Sequence, residues 1–339
     1  MRAVAYSTAT PIEVKDSLVD IDVPEPVLGD RDLLVEVKAV SVNPVDTKVR
    51  RKVSPSVGEW KILGWDAAGI VIATGRHVRN FKLGDKVYYA GGVNRQGTNA
   101  ERHAVDERIV GHMPTSLDYA HAAALPLTAI TAWEALFDRL DVNRPVSGHG
   151  NSILVIGGAG GVSSIAIQLA RQLTSLMVIA TASSDASRDW VKHMGAHAVL
   201  DHRAPLAEEI RKHGLGAPAF VFGTTATEDH LSQIAELIAP QGRFAVIDDT
   251  AVLDINSFKR KSVSVHWEFM FTRSMHQTED IDAQGKLLND VARLVDEGRI
   301  KTTLGENFGK VNAANLRRAH TLIESGRAKG KIVLDGFGT

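Results

Sequence analysis

With 339 residues, of which 44% are apolar and 23% charged, the chain can bury sizeable cores, and its length suggests two domains. Its 39 basic and 40 acidic side chains leave a formal net charge of −1, so no basic excess points to nucleic acid or to a membrane surface. The cysteine count of zero excludes disulfides and every thiolate metal site, and no apolar run approaches the roughly 20 residues that span a bilayer.

The opening residues, Met1-Arg2-Ala3-Val4-Ala5-Tyr6-Ser7, lack the apolar core of a signal peptide, so cytoplasm is the expected compartment. Next come runs with a strand's composition: Leu33 to Val40, Ala67 to Ala73 and Leu83 to Tyr89. Short strands separated by Gly, Pro and Asp turns predict a compact barrel-like module over roughly the first 120 residues. The pattern changes near Asp118. Tyr119 to Leu140 is rich in Ala and Leu, and Pro126 should break it into two helices.

From Ser152 strands and helices alternate. Ile153-Leu154-Val155-Ile156 is a continuous apolar strand, as expected where both sheet faces are covered. Met177 to Ala180, Ala198 to Leu200, Ala219 to Phe222 and Phe244 to Ile247 repeat the theme, which predicts βαβ units and a parallel sheet. Val263 to Trp267 alternates like a further strand. Gln284 to Glu297 reads as an amphipathic helix with Leu287, Leu288, Val291, Leu294 and Val295 on one face. Ala313 to Ser325 reads as another helix, and Gly330 to Leu334 closes with a strand. No internal repeat is visible.

The strongest local signal is Ile156-Gly157-Gly158-Ala159-Gly160-Gly161-Val162-Ser163, where a strand enters a glycine-rich turn and a helix leaves it. Along that helix Val162, Ile165, Ala166, Leu169, Ala170 and Leu173 fall at helical spacing. Glycines let a backbone approach a pyrophosphate, and the helix start offers free N–H groups and partial positive charge. Gly157, Gly158, Ala159, Gly160, Gly161 and Val162 are therefore expected to bind a dinucleotide. Ser163 takes the third position of the spaced pattern, where a small side chain sets helix–strand packing. NAD-preferring sites place Asp or Glu at the end of the second strand. Here that stretch reads Thr181-Ala182-Ser183-Ser184-Asp185, with Arg188 nearby to meet a 2′-phosphate. Asp185 argues the other way, but should sit at a helix start. Ser183, Ser184 and Arg188 thus favour NADPH.

The whole chain resembles the medium-chain dehydrogenase/reductase superfamily, and within it the quinone oxidoreductase (zeta-crystallin-like) branch and bacterial proteins of the zinc-type alcohol dehydrogenase-like group. The residues that carry the resemblance are Ser41-Val42-Asn43-Pro44-Val45-Asp46, Leu63-Gly64-Trp65-Asp66-Ala67-Ala68-Gly69, Leu83-Gly84-Asp85-Lys86-Val87, Ala124 to Ala132, the glycine turn, and Trp267 to Met275. The resemblance implies an α/β protein: a GroES-like β-rich catalytic domain from both chain ends (1–124 and 264–339) plus a central Rossmann domain with a doubly wound parallel sheet (125–263). It also implies a homodimer.

Zinc members of that superfamily hold the metal with Cys, His and Cys or Asp, aided by a Glu. In this sequence Asn43 stands at the first Cys position and Trp65-Asp66 at the His-Glu pair. Zinc needs at least three protein ligands, so no metal site is expected. The 13 histidines include no His-Glu-x-x-His pattern. His193 and His197 are interrupted by Gly195, and His112, His121, His149 and His202 are scattered, so local roles are expected.

Without a Lewis acid, alcohol oxidation is difficult, whereas hydride donation to an already electrophilic carbon remains feasible. The resemblance implies a quinone or an α,β-unsaturated carbonyl as acceptor. Asn43 and Thr128 are expected near the nicotinamide, Asn43 donating an amide hydrogen to a substrate oxygen and Thr128 bonding ribose or carboxamide. Equally, Asn43 fits a turn before Pro44 and Thr128 a helix cap after Pro126. Asp46 either orients a neighbour or caps a helix. Trp65 lines the pocket or is core. Tyr88 and Tyr89 could present a phenol. Val265 to Thr272 reads as core packing or as the cofactor cleft and dimer edge. Two other readings stand beside this one: a zinc alcohol dehydrogenase, and a non-catalytic NADPH-binding protein with a structural or regulatory role.

Overall fold

The computed structural model describes residues 1–147 and 150–338; His149 lies outside the described residues. The chain divides into two compact units, one of Met1–Ile130 with Phe271–Thr339 and one of Thr131–Met270.

The first unit is built on a seven-stranded sheet whose centre is β1 (Asp32–Val42). This strand is buried at nearly every position, because it pairs antiparallel with β2 (Asp66–Thr74), with Arg102–Asp106 and with the C-terminal strand Lys331–Asp335. Its apolar run therefore reads as core rather than as a two-faced ribbon. Lys86–Ala90 and Val110–His112 extend one side, and Leu304–Lys310 the other. A three-stranded sheet of Val19–Asp22, Arg2–Tyr6 and Lys61–Ile62 completes the β-rich module. The strand expected from Leu83 begins at Lys86 instead, because Lys82 donates its N–H to the Asp85 carboxylate and closes a turn across Leu83 and Gly84.

At the end of β1 the chain turns into α1 (Pro44–Lys52), with Pro44 at its first position and Arg50, Arg51 and Lys52 in its last turn. Both ends suit the helix dipole and the fixed φ of proline. Pro126 does separate two helices: Tyr119–Ala123 ends before it, and α2 (Pro126–Trp133) begins on it.

The second unit holds the parallel sheet. Its strands are β3 (Gly150–Ile156), β4 (Met177–Thr181), β5 (Ala198–Leu200), β6 (Pro218–Gly223), β7 (Arg243–Val246) and β8 (Ser264–Trp267), in spatial order β5-β4-β3-β6-β7-β8 and all parallel. That order reverses at β3, as in a doubly wound Rossmann sheet, and the reversal places a ligand crevice at the carboxyl end of β3. Leu154, Ile156, Ile179, Leu200, Val221, Phe244 and Val246 pack with Phe258 into one core. Burial of each such side chain is worth about 1.5–3 kcal/mol. The helical stretch that follows Trp133 is a π-helix (Glu134–Arg139). It brings Arg139 Nε 2.9 Å from the buried Glu268 carboxylate, beside a buried Glu134.

Candidate functional site

The glycine turn lies where β3 ends. Gly157 has φ +80°, a conformation that a side chain would strain, and a Cβ there would come 2.6 Å from Thr225 Cγ2. A Cβ on Gly158 would meet the Thr181 carbonyl at 2.8 Å. Thr181, the last residue of β4, anchors the turn: its hydroxyl accepts from Gly157 N at 3.0 Å and its carbonyl from Gly158 N at 2.9 Å. Helix α3 (Gly161–Leu173) then starts on Gly160, which supplies no side-chain cap. The first N–H groups of a helix without such a cap need an acceptor from outside it. Gly157, Gly158, Ala159, Gly160, Gly161 and Val162 thus form a backbone cradle at a helix start. Ser163 is fully buried and bonds the Thr224 hydroxyl at 2.9 Å, a packing contact.

Ser184 is the N-cap of α4 (Asp185–His193), its hydroxyl accepting the Ser187 N–H at 3.2 Å, and Ser183 directly precedes it. Asp185 opens that helix. Arg188 is not free: its guanidinium lies 3.1 Å from Asp201 at the end of β5. Arg203 shares the same carboxylate at 2.7 Å and is the more exposed of the two. Hydrogen bonds from Arg203, with the Arg188 charge behind them, hold the Asp201 carboxyl far below the usual range. Two guanidinium groups thus share the Asp201 carboxylate, and the charge of Asp185 acts on Arg203 as well. Arg203 and Asp201 escaped the sequence reading because nothing local ties them to Arg188.

The first unit gathers the residues expected near the nicotinamide into a buried polar cluster. Asn43 caps α1: its N–H donates to Asp46 Oδ2 at 2.7 Å, and Asp46 Oδ1 accepts from Gly64 N at 2.8 Å. Burial pushes the Asp46 carboxyl up to about 7, against the pull of those two N–H groups and of Lys331. The Asn43 side chain is spent within the protein. Its Nδ2 donates to Asp66 Oδ2 at 2.8 Å and its Oδ1 accepts from Lys331 Nζ. Asp66 is fully buried and accepts two further bonds, from Leu127 N at 2.7 Å and from Lys331 Nζ at 3.0 Å. Lys331 also donates to the Val42 carbonyl at 3.0 Å. The lysine gave no signal in the sequence, since it opens an apolar strand.

Thr128 is buried and donates to the Leu125 carbonyl at 3.0 Å, so it serves the first turn of α2. Trp65 is fully buried, donates to the Gly92 carbonyl at 3.3 Å, and meets Phe271 edge-on at 5.9 Å between centroids. Tyr88 bonds the Leu288 carbonyl and Tyr89 bonds His103 Nδ1. Both phenols are raised by burial, and neither is an exposed donor.

Zinc does not fit the cluster. Asn43, Trp65 and Asp66 offer one carboxylate, the chain has no cysteine, and a lysine ammonium stands among the oxygens. Among the described residues, no group of three or more His, Asp or Glu side chains is placed to hold a metal. A dinucleotide fits the start of α3, which carries no side-chain cap, while Gly157 and Gly158 spend their own N–H groups on Thr181 and Gly160 spends its N–H on the Gly157 carbonyl.

The family pattern of the alcohol dehydrogenase GroES-like domain matches residues 29–124, and that of the zinc-binding dehydrogenases matches residues 194–334. A zinc-type alcohol dehydrogenase-like protein of Staphylococcus epidermidis is 34% identical over 99% of this chain and 99% of its own. A 2-methylene-furan-3-one reductase of Solanum lycopersicum is 27% identical, over 98% of this chain and 79% of its own. Among solved structures, a Rhizobium etli CFN 42 protein described as a zinc-dependent alcohol dehydrogenase superposes with a TM-score of 0.98 at 60% identity, covering 100% of this chain and 99% of that one. A quinone oxidoreductase from Coxiella burnetii superposes with a TM-score of 0.80 at 26% identity, covering 99% of both chains.

Proposed function

The chain belongs to the medium-chain dehydrogenase/reductase superfamily, an oxidoreductase family, and on that premise we propose that it is a zinc-independent, NADPH-dependent reductase of quinones or α,β-unsaturated carbonyls. The observation that carries the cofactor half is the bare start of α3 over the glycine cradle. Bound there, a reduced nicotinamide supplies a hydride. Gly157 to Val162 hold the pyrophosphate, Ser183 and Ser184 face the adenosine ribose, and Arg188 with Arg203 neutralise a 2′-phosphate.

The acceptor half rests on the donor set. With Lys331 among the oxygens of Asn43 and Asp66, this cluster offers no place for a Lewis acid to polarise an alcohol. An acceptor that is already electrophilic needs none: its carbon takes the hydride, and the resulting delocalised anion takes a proton from water. The reductase names of two relatives support this class, whereas for the zinc in other relatives' names no ligand group of three His, Asp or Glu side chains stands among the described residues. Asn43, Asp46, Trp65 and Thr128 shape the reaction face by fixing backbone rather than by donating protons. We place the protein in the cytoplasm as a homodimer, with β8 and the exposed Trp267 as the sheet edge available for pairing.

Titration of the purified protein with NADPH and NADH, followed by NADPH oxidation against a panel of small quinones and enones, tests the reading. NADPH consumption with at least one acceptor is expected, together with less than stoichiometric zinc by elemental analysis. Tight NADPH binding with silence across the panel would favour a non-catalytic role, and stoichiometric zinc with alcohol oxidation would refute the proposal.

A further inference from the structure

We infer that Lys331 is a tethered resident cation, a positioning residue that sets the geometry of Asn43, Asp66 and the first turn of α2 and keeps any external cation out of that cluster. An ammonium has three N–H donors, and Lys331 Nζ faces three oxygens: the Val42 carbonyl, Asn43 Oδ1 and Asp66 Oδ2. The residue is 3% exposed, so no water supplies a fourth partner from bulk solvent. A saturated, buried ammonium is not a proton donor to substrate. Its effect lies in what it orders.

Three consequences follow from the atoms. Lys331 requires the Asn43 oxygen to face Nζ, which fixes the amide so that Nδ2 faces Asp66. It holds one oxygen of Asp66, leaving the other to accept the Leu127 N–H, immediately before Thr128. It also clips the carbonyl of Val42, the last residue of β1, to the strand paired with it, where Ile332 stands opposite Val42. One side chain thereby ties the β1–α1 junction, the start of β2, the start of α2 and the C-terminal strand. A neutral side chain at 331 would leave three converging oxygens and one uncompensated carboxylate, which is a site for a small ammonium ion.

The test is Lys331→Met in the full-length protein. Thermal unfolding is followed with methylammonium chloride, and with sodium and tetramethylammonium chlorides at equal ionic strength as controls. The variant is expected to melt lower than wild type, and methylammonium alone is expected to raise its midpoint, with wild type unmoved. No selective response to methylammonium overturns the inference. The activity arm rests on the proposed reductase reading: NADPH oxidation should show kcat at least ten-fold lower with NADPH affinity unchanged, and partial recovery in methylammonium. Unchanged kcat overturns the positioning role. If wild type itself reduces no acceptor, the reductase reading falls while the thermal arm still decides the fate of Lys331. Should Lys331→Met fail to fold, Asp66→Asn is the second variant. Release of the amine at 331 should make it reactive to a lysine-acylating reagent in peptide mass mapping, where wild type is protected. Equal protection in both proteins overturns the inference.

Discussion

Gly160 separates a glycine that the fold needs from one that a ligand needs. Its backbone sits at φ −70° and ψ 164°, an extended conformation open to any residue, and a Cβ there would meet only the Gly157 carbonyl, at 3.5 Å. Gly160→Ala should therefore fold normally. Loss of a tolerated N-cap glycine costs roughly 0.5–1 kcal/mol, and the lower entropy of the unfolded chain returns about 0.4–1 kcal/mol, so net stability should move by no more than about 0.5 kcal/mol. A phosphate drawn to the start of α3 would instead meet the new methyl group. Overpacking of that kind costs about 1–3 kcal/mol, which is about 5- to 150-fold in NADPH affinity. Gly157→Ala is the contrasting variant, because φ +80° and a 2.6 Å contact with Thr225 penalise the empty protein too. Urea unfolding gives the stability and NADPH fluorescence titration gives the affinity. Unchanged NADPH affinity in Gly160→Ala, with stability intact, would refute the placement of the pyrophosphate on this turn.

The charge cluster at Asp201 makes a second test. Arg188→Ala and Arg203→Ala should each weaken NADPH by roughly several-fold and leave NADH unchanged, measured as a ratio of affinities; equal loss for both nucleotides would remove the arginines from the 2′-phosphate. On the acid side, burial holds His103 down at about 4 and His320 at about 3, the latter also beside Arg50. The unfolded chain binds these protons first, so the stability they contribute is present above about pH 6.5 and is lost as pH falls through those values. His320→Asn should flatten the acid limb of a pH–stability curve by roughly 1.4 kcal/mol per pH unit at most, and an unchanged limb would contradict a neutral buried His320.

Much of the fold was legible because its signals are local. The alternation of apolar strands with helices, the glycine turn and the proline break are all written within windows of one or two elements, and the parallel sheet has the predicted strands. The site was less legible because its bonds are long-range. Lys331 reaches Asn43 across 288 residues and Asp66 across 265, and no periodicity records such a contact. The Asn43 amide suits a donor to substrate by its side-chain chemistry alone, and its partners are far away in sequence. In the structure its amide is held at both ends, and its backbone, at the turn before Pro44, caps α1. Thr128 bonds the Leu125 carbonyl at the start of α2, and Trp65 is fully buried. Arg188 was visible as a charge near the second strand, but its partner Asp201 directly follows β5, a neighbouring strand whose register only the sheet reveals.

The two buried charge clusters differ in balance, and that difference locates the alkaline weakness of the molecule. In the first unit one ammonium meets three oxygens, and Asp66 meets three donors, so the set is closed. Asp46 beside it, raised to about 7, keeps its proton in the folded protein up to that pH, so its stabilising contribution declines between its ordinary value and about 7 and does not change above that. In the second unit the Glu268 carboxyl meets both the Glu134 carboxyl and the Arg139 guanidinium. Burial first, and then the Glu134 charge, push Glu268 up to about 9 despite Arg139, so that it is protonated in the folded protein and ionised in the unfolded one. A raised carboxyl contributes stability that is complete below about pH 4.5 and is lost as pH rises through 9. The loss continues into the alkaline range, and it belongs to this pair alone among the buried carboxyls raised here. Glu268→Gln keeps the shape without the ionisation. It should therefore abolish most of that decline in urea unfolding at pH 7, 8 and 9, and hydrogen exchange in wild type at pH 9 should quicken first around β8 and the Glu134–Arg139 turn. A variant that declines as steeply as wild type would mean that the pair is already ionised in the folded state.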